Sequence, residues 1–274
     1  MGDESFNMKY NRFKVLKYDF KCTLLLYLRA VENLFVPGDN KSLHLFILSP
    51  PYAGSTLLHE IISTSPEVSP DNIWGTREGL SLPGIRELID YRRRWDPEYK
   101  YPFDAIFKKL KKYWSRRKSI WLDKSPSFIF RATDIESYLP TSKFVILVRH
   151  PLALVNSFMV RDKMDLESAA AMVVKSFKFQ YANCKTLNDQ IWISYESLVN
   201  NHNETMKSLL NFIPEFIELP GKKKYKAHNQ LGEKMGLTDF NQSKIKSFSE
   251  EDLNKLKDIF SSHQQLLDYF GYSI

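Results

Sequence analysis

Three short segments of this chain carry residue types that could do chemistry on an anion. The first is Ser49 to Leu58 (SPPYAGSTLL). An apolar run, Leu43 to Leu48, precedes it, and Leu57, Leu58, Ile61 and Ile62 follow at helical spacing. Strand, glycine turn and helix N-terminus together make an anion pocket. The backbone N–H groups of Gly54, Ser55 and Thr56 point at an oxyanion there, and the helix dipole favours its charge. The second segment ends an apolar stretch at Lys124, and the third ends one at Arg149, with Ser157 eight residues later. The bound group is expected to be phosphate-like or sulfate-like.

These residues converge only if the elements before them are neighbours in one sheet. Lys143 to Val148 (KFVILV) is an unbroken apolar run after its first residue, the pattern of a buried parallel strand. Leu43–Leu48, Ile120–Leu122 and Gln190–Ser194 read as further strands. Helices are expected over residues 84–94, 103–117, 128–137, 151–159, 166–187, 196–212 and 251–267. Residues 65–100, punctuated by Pro66, Pro70, Pro83 and Pro97, and the lysine-rich stretch 219–248 read as loops. Strands alternating with helices imply an α/β fold with a parallel sheet covered on both faces, its site at the strands' C-terminal ends. Residues 1–40 read as a helical lead-in closed by a turn at Pro37 to Asn40, and residues 41–274 as the α/β domain.

Composition narrows the class. The chain has 274 residues, 43% of them hydrophobic, enough to bury a core, so it is not a disordered sequence. Its two cysteines, Cys22 and Cys184, cannot form a disulfide scaffold. A net charge of +7 attracts anions without choosing between nucleotides, sulfated or phosphorylated substrates, nucleic acid and acidic membrane. No stretch is long and apolar enough to span a bilayer, and no cleavage site follows the basic residues before Cys22. A cytoplasmic location is the expectation. No Cys/His cluster has metal-ligand spacing, and no metal is expected.

Four segments together resemble the sulfotransferase family, which moves a sulfuryl group from 3'-phosphoadenylyl sulfate (PAPS) to an acceptor. The glycine loop is similar to that family's 5'-phosphosulfate loop. Phe144 to Leu152 (FVILVRHPL), continued to Ser157, resembles its 3'-phosphate segment. Trp121 to Pro126 (WLDKSP) is similar to a lysine segment of bacterial-type and protein-tyrosine members, and Tyr195 to Leu198 (YESL) to a segment whose tyrosine contacts adenine. The resemblance implies a P-loop NTP-hydrolase-like, three-layer α/β sandwich. It implies that Tyr52, Ala53, Gly54, Ser55, Thr56, Arg149, Ser157 and Tyr195 hold PAPS, and that Lys224 belongs to a basic loop folded over it. Lys124 would stabilise charge on the leaving phosphate. The acceptor's proton would go to Glu78, in Trp74 to Gly79 (WGTREG), or to His59.

One departure stands out. Relatives usually place Lys or Arg where this chain has Tyr52, and a small polar residue where it has Ala53. Lys124, Arg77 or Arg161 must then supply the missing charge, or the chain is a degenerate relative that binds PAPS or its product without transfer. A nucleotide kinase is a further alternative, but its loop wants a lysine after the glycine, and Ser55 stands there. The acceptor is expected to be a hydroxyl or amine on a small molecule, glycan or peptide, with no nucleic-acid partner. Oligomeric state is open.

Overall fold

The sheet is built on the two most apolar runs. Strand β1 (Leu43–Leu48) and strand β4 (Lys143–Val148) are buried along almost their whole length and pair in parallel, Leu48 opposite Ile146. Burial on both faces is what an unbroken apolar strand requires. Strand β3 (Ile120–Asp123) pairs with β1 on its other side, Phe46 opposite Asp123, and β5 (Gln190–Ser194) pairs with β4. A short β2 (Val68–Pro70) forms the edge beside β3. The order is β2-β3-β1-β4-β5, all parallel, with helices flanking the sheet. This computed structural model describes residues 12–36, 42–220, 224–225 and 236–274. The turn expected at Pro37 to Asn40 lies outside those residues.

The helices are α1 (Arg12–Leu34), α2 (Ser55–Ile62), α3 (Phe103–Leu110), α4 (Ala132–Tyr138), α5 (Pro151–Asp162), α6 (Leu166–Thr186), α7 (Tyr195–Asn200), α8 (His202–Phe212), α9 (Asn241–Ile245), α10 (Glu250–Ser261) and α11 (Gln264–Tyr269). Helix α6 lies against the sheet and ties it down. Its buried Gln180 donates to the Leu48 carbonyl at 2.8 Å and its Asn183 to that of Ile129 at 3.0 Å. Gln180 thereby serves the end of β1, one residue before the glycine loop begins.

Several elements differ from the sequence reading, each for a local reason. Strand β2 fell inside a stretch read as loop, because a three-residue run ending in proline carries almost no strand signal. Pro70 is tolerated there because β2 is an edge strand. Residues 84–94 form two single 3₁₀ turns, Arg86–Leu88 and Tyr91–Arg93, rather than a helix. The Asp90 carboxylate accepts from the Arg92 amide and starts a new turn. Helix α3 stops at Leu110, and the chain turns so that Tyr113 and Trp114 are buried. The helix expected over 128–137 begins only at Ala132, after a 3₁₀ stretch Pro126–Phe130, and the buried guanidinium of Arg131 between them donates to the carbonyls of Arg94, Asp96, Tyr99 and Ser127. The helices expected over 196–212 and 251–267 each break in two, near Asn201 and His263, and α9 forms inside the stretch 219–248.

Candidate active site

The glycine loop adopts a geometry that few sequences can. Gly54 precedes α2 with φ +96°, in the left-handed region. A Cβ there would sit 2.6 Å from Cδ2 of Tyr195, so glycine is required twice over, by conformation and by contact. Tyr52 also has positive φ, +68°. Ala53 is fully buried and anchors the loop in the core. No side chain caps α2, so the first amides of the helix, from Ser55 and Thr56 onward, lack the usual side-chain acceptor. Ser55 is buried and Thr56 half-buried.

Arg149 leaves the end of β4 and reaches this loop. Its Nη1 donates to the Tyr52 carbonyl at 2.9 Å, and its Nε to Asn241 Oδ1 at 2.8 Å. The guanidinium stacks on the Tyr195 ring, 4.0 Å from its centroid. Among the described residues, Nη2 is buried with no acceptor. Burial holds the Arg149 pKa below the usual guanidinium value, against the pull of Tyr195 and Glu196. Asn241 is itself fixed by Glu196, whose other oxygen accepts from the Tyr272 hydroxyl at 2.8 Å.

Beside Arg149, the Lys244 ammonium donates to the Ser157 hydroxyl, which in turn donates to the Ala153 carbonyl at 2.8 Å. Burial, then the charges of Arg149 and Arg161, push the Lys244 pKa down to about 7. Two cations and a hydroxyl crowded together, one cation with a buried unused N–H, have the donor set of a phosphate site. Three or more donors aimed at one tetrahedral anion would relieve both the crowding and the orphaned N–H.

Lys124 and the 71–79 loop form a second cluster, joined to α2 by Arg77 and Glu60. Lys124 is buried at the end of β3; its Nζ donates to the Thr76 carbonyl at 2.6 Å and stands 3.6 Å from Glu78 Oε1. Burial lowers its pKa, and the Glu78 carboxylate opposes that. Arg77, with φ +58°, pairs with Glu60 at 3.3 Å. His59 on α2 is fully buried, and burial together with the Arg77 and Lys124 charges keeps it well below the usual imidazole pKa.

Beneath the loop, Asp71 and Asp123 are completely buried at the ends of neighbouring strands. Both approach Gly79, where a Cβ would come within 2.1 Å of Asp123 Oδ2 and 2.2 Å of Asp71 Oδ2. Burial raises both acids, Asp123 to about 6; Asp71 goes well above the carboxylate range, pushed further by its neighbour's charge. A proton shared between them removes the repulsion.

The structure thus brings Tyr52, Ala53, Gly54, Ser55, Thr56, Arg149, Ser157 and Tyr195 into one neighbourhood, and sets Lys124, Glu78 and His59 together in a second. Lys224 is exposed, and most of the basic loop around it lies outside the described residues. The lysine at the Arg149 end is Lys244, which sequence reading passed over with Asn241 and the Asp71–Asp123 pair. Their only signal was a polar residue type inside a loop-like stretch or at a strand end. Tyr52 donates to Asp162 Oδ1 at 2.8 Å, and the Arg161 guanidinium lies 5.1 Å from its ring. Among the described residues no three His, Cys, Asp or Glu side chains gather as a metal group.

Solved structures share this architecture. The sulfotransferase domain of the Synechococcus PCC 7002 olefin synthase is 20% identical, with a TM-score of 0.50, over 82% of this chain and 97% of that one. Sulfotransferase STF9 from Mycobacterium avium is 11% identical, with a TM-score of 0.51, over 96% and 87%. At these identities the likeness speaks for the fold alone. No curated protein matches the chain at a significant level. The model of the sulfotransferase family (Sulfotransfer_3) matches residues 44–215, more than half of the sequence and the span holding the glycine loop, Lys124, Arg149 and Tyr195. The chain belongs to the sulfotransferase family.

Proposed function

We propose that this protein transfers a sulfuryl group from PAPS to a hydroxyl or amine acceptor. The observation that carries this reading is the link between Arg149 and the Tyr52 carbonyl, which ties the cationic cluster of Arg149 and Lys244 to the glycine loop. A donor with a phosphate at one end and a phosphosulfate at the other fits such a pair of sites. Arg149, through its unused Nη2, with Lys244 and Ser157, would hold the 3'-phosphate, and Tyr195 would border the adenine. The amides of Gly54, Ser55 and Thr56 would hold the phosphosulfate.

PAPS, when bound, supplies the sulfuryl group and a phosphate leaving group. Glu78 is suited to take the acceptor's proton as the acceptor atom attacks sulfur, and Lys124 to stabilise the charge that builds on the phosphate oxygen as its bond to sulfur breaks. Lys124 and Glu78 hold each other at 3.6 Å, so one ion pair orients both groups before substrate arrives. His59, buried and kept neutral, is the poorer base. Arg161 at the Tyr52 ring supplies positive charge where relatives carry a loop lysine or arginine.

A second reading, binding without transfer, draws support from Tyr52, whose hydroxyl is already engaged with Asp162. Thermal unfolding with 3',5'-adenosine bisphosphate tests the pocket. Wild type should be stabilised by mass action, and Arg149→Met should lose that stabilisation. An unchanged shift in Arg149→Met overturns the assignment. Transfer from radiolabelled PAPS across an acceptor panel separates the two readings. Product supports the enzyme; a nucleotide shift with no product from any acceptor supports the binder.

A further inference from the structure

Helix α1 is apolar on two opposite faces. One face docks on the body through buried Cys22 and Leu25, through Tyr18, whose hydroxyl meets Ser81 Oγ at 3.2 Å, and through Arg29 and Asn33, which donate to the carbonyls of Tyr113 and Trp114. The other face turns Leu16, Phe20, Leu24, Tyr27, Val31 and Leu34 to solvent at steps of three and four residues. They are 60%, 71%, 49%, 68%, 39% and 80% exposed. Beyond residues 13–35, the exposed large apolar side chains among the described residues are Ile73, Tyr138, Val160, Tyr181, Trp192 and Ile217, with Tyr181 and Trp192 both against Tyr269. A stripe this long, at one helical face, marks a surface that something apolar covers.

Charge identifies the occupant. Lys14, Lys17 and Lys21 are exposed along one edge of the stripe. The acidic residues of the described helix, Asp19 and Glu32, are held against the body. Asp19 pairs with Arg86 at 2.8 Å, and Glu32 with Arg29 at 2.6 Å while accepting from Ser115. A second copy seated on this face would bring the same three lysines and no facing carboxylate. An anionic lipid surface satisfies both parts of the pattern, with acyl chains for the stripe and headgroups for the lysines. No described helix is long and apolar enough to cross a membrane, so α1 would lie in the plane of the interface.

We infer that α1 seats this protein on anionic lipid surfaces. The same helix holds the loop that carries Glu78: Asn72 donates to the Tyr18 hydroxyl at 2.8 Å and to the Glu78 carbonyl at 2.9 Å, and the Lys21 ammonium lies 6.0 Å from the Trp74 ring. Seating α1 therefore leaves that loop on the far side of the helix from the lipid, about one helix diameter away.

Co-sedimentation of the full chain with phosphatidylcholine vesicles, with and without phosphatidylglycerol, is the test. Binding should require phosphatidylglycerol and fall with added salt. The Phe20→Glu/Leu24→Glu variant should lose it while keeping the wild-type circular dichroism and melting curve, since both side chains are exposed. Lys14→Gln/Lys17→Gln/Lys21→Gln should weaken it about fivefold per lysine, roughly a hundredfold together. Failure to sediment with phosphatidylglycerol vesicles overturns the inference, as does undiminished binding by the glutamate variant. So does a dimer of the wild type that the glutamate variant converts to monomer, because the stripe then seats a second copy. Vesicle binding is read without turnover, so its outcome is separate from that of the transfer assay.

Discussion

A single methyl group at position 54 should disconnect the glycine loop from its neighbours. Gly54→Ala must place a side chain at φ +96°, a conformation costing an L-residue about 1 kcal/mol or more. The new Cβ would also lie 2.6 Å from Tyr195 Cδ2 and 3.2 Å from Cε2, closer than the 3.4–4 Å of ordinary contact. The Tyr195 ring cannot retreat freely: it is buried, its hydroxyl donates to the Thr238 carbonyl at 2.7 Å, and Arg149 stacks on it. Overpacking of that kind costs about 1–3 kcal/mol. The expected loss is therefore about 2–4 kcal/mol. Tyr195→Val removes the obstructing δ and ε carbons, at a cost of at most about 3–5 kcal/mol for the lost ring. Urea unfolding of wild type, both single variants and the double variant closes the cycle. The double variant should be about 1–3 kcal/mol more stable than the sum of the singles implies, because the clash is absent once the ring is gone. Strict additivity would show that the ring does not press on the loop, and the described geometry of the site would be wrong.

Other outcomes follow from the same geometry. Lys124→Ala should lower kcat by about 10²–10³ with a much smaller change in nucleotide affinity; equal losses in both would refute a role confined to the transition state. The Lys244 pKa is depressed on folding, so between about 7 and its unfolded value the unfolded chain binds more protons and stability rises with pH. The difference between wild-type and Lys244→Met melting curves should show that rise, and saturating 3',5'-adenosine bisphosphate should remove it by pairing the charge. The Asp71–Asp123 pair has the opposite sign. Its carboxyls are raised on folding, so their contribution falls as pH climbs from the unfolded carboxylate value through about 6 and beyond. Asp71→Asn should stabilise the protein at about pH 8, by an amount on the order of 1–3 kcal/mol, with the gain vanishing near pH 4; a pH-independent difference would mean that the pair shares no proton.

Much of the site was legible because its parts are local. A buried strand, a glycine needing positive φ and an uncapped helix lie within twenty residues of one another, from Leu43 to Ile62. Arg149 ends the most apolar strand of the chain. Periodicity failed where neighbouring residues compete with the helix, as Asp90 does for the Arg92 amide, and where burial interrupts it, as at Arg131. It failed also for β2, which is a strand only because β3 lies beside it.

The sequence by itself determined the four longer strands and the turn at Gly54, because these depend on residue type and spacing over a few positions. The tertiary structure alone decided that Lys244 and Asn241, more than ninety residues along the chain from Arg149, complete its surroundings. It alone set Asp71 against Asp123, turned the paired carboxylates of α1 inward and left its second apolar face outward. Each of these is a contact between segments distant in sequence, fixed by strand order and helix packing, and no local pattern of side chains encodes it.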